Sequence, residues 1–301
     1  MTRHADYYAI GFDLGGTNIK MVAVTKGGEL LAQLTSATED GAEAHHIWAE
    51  RIGQEIAFAE ARYGPVKRIG LAAPGLAAPD ARSIRWMRGR MEALQGLDWT
   101  EALGGERFVP VLNDGQAALL GETWLGAAAG SRNALLLTLG TGVGGGAMVD
   151  GNLLRGHIGR AGHLGHLCLN PDGKPDIAGT PGSLEDAIGD CSLPDRTNGK
   201  FKTTADLLEA RGRGEPFAAE VWQRSIHCLA CGIVSLVNAF DPEIVVLGGG
   251  VSRAGDALFA PLQACLDAME WRPTGDKIQV VPATLGEFAG AYGAAYRAMQ
   301  E

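Results

Sequence analysis

Asn133-Ala-Leu-Leu-Leu-Thr-Leu-Gly-Thr-Gly-Val-Gly-Gly-Gly-Ala-Met-Val149 decides the fold, because the chain has already used the same pattern once. The apolar run ending at Leu139 reads as a buried strand, Gly140 to Gly146 as a glycine turn, and Ala147 to Val149 as a returning strand. Asp150-Gly151 is a hairpin turn, with Asn152 to Arg155 beyond it. Near the start of the chain, Tyr7 to Asp13 is a strand that ends in an acid. It enters the tight turn Asp13-Leu-Gly-Gly-Thr-Asn18 and returns through Ile19 to Val24. Lys26-Gly-Gly-Glu29 turns again, and Leu30 to Thr35 is a third strand. Strand, glycine turn, strand, turn, strand thus occurs twice. This internal duplication predicts an α/β chain of two similar halves, each supplying one phosphate loop to a nucleotide.

The chemistry clusters around these turns. Gly15 and Gly16 let the backbone bend sharply and approach a ligand closely, and successive amides there form an anion-binding concavity. A structural hairpin explains the glycines equally well, but not Asp13, Thr17 and Lys20 gathered around them. Asp13 is a candidate to hold Mg²⁺ through water. Thr17, Asn18 and Lys20 are candidate phosphate contacts, and Gly140, Thr141 and Gly142 are their counterparts in the second half. Between the two turns lies Val111-Leu-Asn-Asp-Gly115. A short apolar run precedes it, and Gln116 to Glu122 reads as a helix behind it. A carboxylate at a strand end, with a helix starting behind it, suits a general base. The plainer alternative makes Asp114 the N-cap of that helix. The flanking turns favour the base.

Composition narrows the function classes. The chain has 301 residues, 46% hydrophobic and 20% charged, enough for one large domain or two medium ones. A formal net charge of −9 without a basic block argues against nucleic acid or an anionic membrane as partner. The most apolar stretch, Cys228 to Phe240, is shorter than the ~20 residues a bilayer needs. Met1 to Tyr8 is polar and carries no signal-peptide pattern, so a cytoplasmic protein is expected. The five cysteines, 168, 191, 228, 231 and 265, read as reduced thiols. Cys228-Leu-Ala-Cys231 falls inside an apolar helical run and reads as packing rather than as a redox or metal motif.

The remaining elements follow by periodicity. Gly41 to Tyr63 is a helix, Val66 to Ala73 a strand, and Pro74-Gly75 turns it. The stretch to Trp99 is irregular, with a short strand expected at Ser83 to Trp86. Trp86, Met87, Met91 and Trp99 either line a pocket or pack beneath the loop. Gly156 to Gly182 is expected to be irregular and Ser183 to start a helix. Thr203 to Arg211 and Pro216 to Phe240 are helices, the second apolar nearly all round. Pro242 to Leu247 is a strand running into Gly248-Gly249-Gly250. Helix Ala254 to Met269, strand Ile278 to Val281 and helix Phe288 to Met299 close the chain.

With these motifs in order, the sequence resembles the ROK family (repressor, open reading frame, kinase) over nearly its whole length. The resemblance rests on Asp13-x-Gly-Gly-Thr-Asn-x-Lys20, Ala73-Pro-Gly75, Asn113-Asp114 and Leu139-Gly-Thr-Gly-Val-Gly-Gly145. It continues through Gly151-x-x-x-x-Gly156, Gly159-Arg-Ala-Gly162-x-x-Gly165-His166, Val246-Leu-Gly-Gly-Gly250 and Ala289-Gly-x-x-Gly-Ala294. It implies the two-domain actin-like ATPase (ribonuclease H-like) fold, with 1–113 plus about 288–301 as one domain and 114–287 as the other. It implies a glucokinase-like, ATP-dependent sugar kinase that uses Mg²⁺. Asp114 then takes the proton from the attacking sugar hydroxyl, with the 6-hydroxyl of glucose as default acceptor. Gly75, Asn113, His166 and Glu185 hold the sugar, and Gly248 to Gly250 lie near the adenosine. A homodimer is the expected assembly. Fructose or N-acetylhexosamine kinases, or a non-catalytic sugar-sensing or actin-like module, are the alternatives. A repressor with a DNA-binding domain in front is not expected, since the first strand begins near residue 7.

Two departures stand out. The family's zinc motif, Cys-x-Cys-Gly-x-x-Gly-Cys-x-Glu, is replaced by Cys168 to Glu185 without the clustered cysteines, and Ser183 stands where the last would be. Cys168 and His166 are only two of four ligands, so zinc is not expected. His163 occupies the position of a sugar-contacting Glu, which makes it a candidate sugar contact. The region from Pro74 to Trp99 has no clear match to the family's Asn-Leu-x-x-Trp segment.

Overall fold

The computed structural model describes residues 7–39, 44–87 and 91–301. The chain order is β1 (Tyr8–Leu14), β2 (Asn18–Thr25), β3 (Leu30–Ala37), α1 (Ala44–Tyr63), β4 (Arg68–Ala73), β5 (Leu76–Ala77), β6 (Ile84–Trp86), α2 (Trp99–Ala102), β7 (Val111–Asn113) and α3 (Asp114–Leu125). It continues through β8 (Ala134–Leu139), β9 (Val143–Val149), β10 (Asn152–Leu153), α4 (Leu184–Ile188), α5 (Leu193–Arg196), α6 (Thr204–Gly212), α7 (Pro216–Phe240), β11 (Ile244–Gly248), α8 (Asp256–Met269), β12 (Gln279–Pro282) and α9 (Ala289–Met299). The expected helix start at Gly41 lies outside the described residues. Among the described residues, no helix is long and apolar enough to cross a membrane.

The duplication is visible in strand order. One five-stranded sheet runs β3-β2-β1-β4-β7 and the other β10-β9-β8-β11-β12. In the first, β1 pairs antiparallel with β2 and parallel with β4, which pairs parallel with β7. In the second, β8 pairs antiparallel with β9 and parallel with β11, which pairs parallel with β12. The turn of the second half is shorter than expected. It occupies 140–142, and glycines 144–146 belong to β9. Gly144 serves close strand packing: a Cβ on it would stand 2.5 Å from Thr138 Oγ1 across the ladder.

Contacts group the chain into two compact units. The first takes the described residues up to Gly130, with Leu153–Gly162 and Thr284–Glu301; the second takes Ser131–Asn152 and His163–Ala283. The division therefore falls near 130 and 284 rather than at 113 and 288. The reason is that α3 packs on α9 backbone to backbone. A Cβ on Gly293 would lie 1.7 Å from Ala117 O, and one on Gly121 2.4 Å from Ala289 O. Glu122, wholly buried on α3, accepts from the Thr284 amide at 3.0 Å and the Leu285 amide at 2.8 Å through Oε1. Its Oε2 accepts from the Ala127 amide at 2.7 Å and from Thr284 Oγ1 at 3.2 Å. Segment 153–162 joins this unit because Arg155 donates to Ala78 O at 2.8 Å and Gln116 Nε2 to Ala161 O at 2.8 Å.

In the first unit, β1 is covered on both faces, and its alternation sorts residues by size. Ile10, Phe12 and Leu14 face the large core with Trp48 and Ile52 of α1. On the opposite face, Ala9 packs with Val22, Val24, Ala291 and Ala295. Gly11 and Gly70 bring α9 onto the sheet, since a Cβ on either would meet the α9 backbone at about 2 Å (1.9 Å and 2.1 Å). Trp99 and Met91 are buried in the large core, whereas Trp86 is half exposed, so these residues pack the loop rather than form one pocket wall. In the second unit, β11 is buried along its whole length, as a parallel strand covered on both faces should be. The helix α7 runs 216–240 as its periodicity predicts. Cys228 and Cys231 lie on it as free, partly buried thiols.

Candidate active site

The first unit places candidate residues at the carboxyl ends of three adjacent parallel strands, where α/β sheets bind ligands. Asp13 ends β1, the Pro74-Gly75 turn follows β4, and Asn113-Asp114 ends β7. Asp13 is level with Ala72, and Ala73 with Asn113. With β4 between them, β1 and β7 lie about 10 Å apart, at ~4.8 Å per strand step.

Asn113, not Asp114, caps the helix. Its backbone is extended (φ −65°, ψ 145°), and Oδ1 accepts from the amides of Gly115 at 3.0 Å and Gln116 at 3.2 Å. Its Nδ2 donates to Gly75 O at 3.0 Å. Gly75 needs its left-handed turn (φ +100°), where a Cβ would crowd Trp86 O at 2.7 Å. Two expected sugar contacts therefore brace each other. Asp114 takes the first helical position, with an exposed side chain whose Oδ1 accepts from the Gly115 amide at 2.8 Å.

Asp13 shares the β1 face of Ala9 and Gly11, so it meets the first turn of α9. A Cβ on Gly290 would lie 2.8 Å from its Cγ. The carboxyl is pushed up to about 7, first by burial and then by the charge of Asp114; Lys20, directly opposite on β2, pulls it down. Lys20 is itself 3.6 Å from Glu287. The turn beyond is held by Gly15 N–H donating to Asn18 O at 3.0 Å and by Thr38, whose amide and hydroxyl donate to Thr17 O and Gly15 O. The Gly15 amide is thus spent within the turn, and half-buried Gly16 and exposed Thr17 sit at its tip.

The second unit repeats the device. Gly140 N–H donates to Gly142 O at 3.0 Å, while Asp190 N and Cys191 N donate to Gly140 O and Thr141 O. Glu185 on α4 accepts from Val143 N at 2.8 Å through Oε2, and a Cβ on Gly142 would strike that oxygen at 2.3 Å. The expected sugar ligand Glu185 thus also pins the phosphate turn. Its helix is capped by Ser183, whose Oγ accepts from Asp186 N at 3.2 Å, and Leu184 packs over Gly232 of α7. Gly248 to Gly250 leave the end of β11 beside β8. A Cβ on Gly249 (φ +84°) would stand 2.2 Å from Leu139 O, so this loop lies against the strand that carries the Gly140 turn. His163 is partly buried and precedes the short helical turn Leu164–His166.

Among the described residues, no group of three or more His, Cys, Asp or Glu side chains is disposed to hold a metal. The donors of the 166–185 loop do not fit zinc: His166 Nδ1 lies 2.7 Å from Asp176 Oδ2, Cys168 is exposed, and Ser183 caps α4. Glu122 and Asp176 escape sequence reading. Each acts by hydrogen bonds to backbone that is close only in the folded chain, and neither belongs to a motif.

Duplicated sheets with glycine turns at their strand ends define the two-domain actin-like ATPase fold. The ROK family profile matches residues 9–301, and the chain belongs to that family. It is 32% identical to a glucokinase of Halalkalibacterium halodurans, over 99% of this chain and 96% of the relative. It superposes on a ROK hexokinase from Thermus thermophilus with a TM-score of 0.83 at 32% identity, covering 97% of this chain and 98% of the other. A ROK family glucokinase from Streptomyces griseus, solved with glucose and AMPPNP, gives a TM-score of 0.78 at 29% identity, covering 98% and 100%.

Proposed function

We propose that the chain transfers the γ-phosphate of ATP to a hexose hydroxyl, the 6-hydroxyl of glucose being the default acceptor. The observation that carries this reading is the division of labour at the end of β7. Asn113 caps α3, so Asp114 presents its carboxylate from the first helical turn, on the sheet edge that also carries Asp13.

Asp114 accepts the proton of the attacking hydroxyl as it bonds to phosphorus. The amides at the two turn tips, Gly16 with Thr17 and Thr141 with Gly142, donate to phosphate oxygens, with Asn18 and Lys20 beside the first. Gly248 to Gly250 border the adenosine. Gly75, Asn113, His163, His166 and Glu185 hold the sugar. Asp13 suits a bound cation: its partly enclosed carboxylate lies near a second carboxylate, and the nearby Lys20 is shared with Glu287. Mg²⁺ held there, through water, supplies charge neutralisation to the phosphates.

An ADP-release assay across a panel of hexoses and N-acetylhexosamines tests the reading. At least one sugar should be turned over, and Asp114→Asn should lower kcat by roughly 10²–10⁴-fold while sugar and ATP binding persist. A variant keeping more than half of wild-type kcat removes Asp114 from this role.

A further inference from the structure

The loop from Leu167 to Ser183 has an organising centre, and it is a carboxylate. Asp176 has no exposed side-chain area. Its Oδ1 accepts from the amides of Ala178 and Thr180, each at 2.9 Å. Its Oδ2 faces His166 Nδ1 at 2.7 Å, and the Ser183 hydroxyl also bonds to the carboxylate. The same oxygens therefore gather both ends of the loop and its middle. Backbone bonds complete it: Leu169 N and Asn170 N donate to Gly182 O, Gly182 N to Lys174 O, and Asp176 N to Thr180 O. Burial pushes the Asp176 carboxyl up, and the bonds from His166, Thr180 and Ser183 more than reverse this, so it lies below the usual carboxylate range.

We propose that Asp176 is a positioning residue that locks His166 as the Nδ1–H tautomer, so that its Nε2 presents a bare lone pair to a sugar hydroxyl. A buried carboxylate accepts and does not donate, so the short contact at Nδ1 places the proton there in the neutral ring. The tautomer at one ring nitrogen is set by the hydrogen bond at the other. The His166 side chain keeps 28% of its surface exposed while its partner has none, so the pair is not sealed from a ligand on the histidine side. Asp176 thereby supplies, from within the loop, the orientation that a metal at Nδ1 would give. The sugar half of this proposal rests on the function proposed above; the tautomer half does not.

Asp176→Asn is the decisive change. The amide Oδ1 still accepts from Ala178 and Thr180, so the loop keeps its main ties. The amide Nδ2 is a donor and forces His166 Nδ1 to accept, which moves the ring proton to Nε2. Long-range ¹H–¹⁵N spectra of the imidazole should show Nδ1 protonated in the wild type and Nε2 protonated in the variant. The KM for the sugar should rise by about tenfold, with kcat and the KM for ATP within about twofold, as for other ligand-orienting partners. The wild-type spectrum alone is a test that needs no variant to fold: an Nε2–H tautomer there overturns the proposal. So does an Asn variant whose ring tautomer or sugar KM is unchanged. A wild type that turns over no sugar would instead refute the kinase reading, while the spectra would still decide what Asp176 does to His166.

Discussion

Asp13→Asn should make the ligand-free protein more stable and the enzyme inactive. The carboxyl has an ordinary value of 3.8 and is raised to about 7 in the fold. A raised folded value means that the native state binds the proton more tightly than the unfolded chain. Its contribution is full below about pH 4 and is lost as pH rises through 7. At about 1.36 kcal/mol per tenfold in proton affinity, ionised Asp13 costs the fold on the order of 4 kcal/mol above pH 7. At pH 5 the cost is only about 1–2 kcal/mol. Asparagine keeps the shape and cannot ionise. Urea unfolding followed by circular dichroism, in EDTA without nucleotide, should show the variant ahead at pH 8, with the gap shrinking by roughly 2–3 kcal/mol at pH 5. Millimolar Mg²⁺ should narrow the gap at pH 8, because only the wild type has a carboxylate for it. A difference that stays flat with pH would refute the burial argument. A variant with wild-type kcat would refute the cation role. The wild type keeps a destabilising charge where its proposed chemistry needs one.

His163→Glu should shift the ranking of sugars by kcat/KM with little effect on the KM for ATP, because an imidazole donates and accepts whereas a carboxylate only accepts; an unchanged ranking takes His163 out of the sugar contacts. Glu122→Gln should cost about 2–4 kcal/mol in unfolding free energy, since its new NH₂ faces amide donors at one oxygen position or the other; a loss under 0.5 kcal/mol would mean that these donors find other partners. Activity should survive strong zinc chelation once Mg²⁺ is restored, and stoichiometric zinc at His166 and Cys168 in metal analysis would contradict this.

The duplicated pattern was legible because its signals are local: alternating apolar residues, glycines at sharp turns, and an acid at a strand end. Where two local signals compete, the sequence is ambiguous. Asn113 and Asp114 are both good N-caps, and only the extended backbone at Asn113 separates cap from first helical residue. Glycines also carry two meanings. Gly15 and Gly140 mark turns, whereas Gly144 looks like part of a turn and serves a crowded strand, a matter of what lies across the ladder. The bond of Asp176 to His166 spans an irregular loop with no periodicity, so nothing nearby announces it. The reach of the first unit is hidden for the same reason: α3 follows β7 at once, but its partner α9 lies more than 160 residues further along the chain.

That distance has a consequence for how the protein is made. Synthesis runs from the amino end, and domains generally fold as units while it proceeds. The second unit lies within 131–283, so all of its residues are translated before α9. The first unit begins earlier and finishes later. Until α9 arrives, Gly11 and Gly70 line an uncovered sheet face, Gly121 has no helix to meet, and the Glu122 carboxylate lacks the Thr284 and Leu285 amides. The half that starts first thus waits, with apolar surface open to water, for a helix made after the whole second unit. A nascent chain stalled before α9 should be bound by chaperones through this half, and release of the completed helix should end that binding.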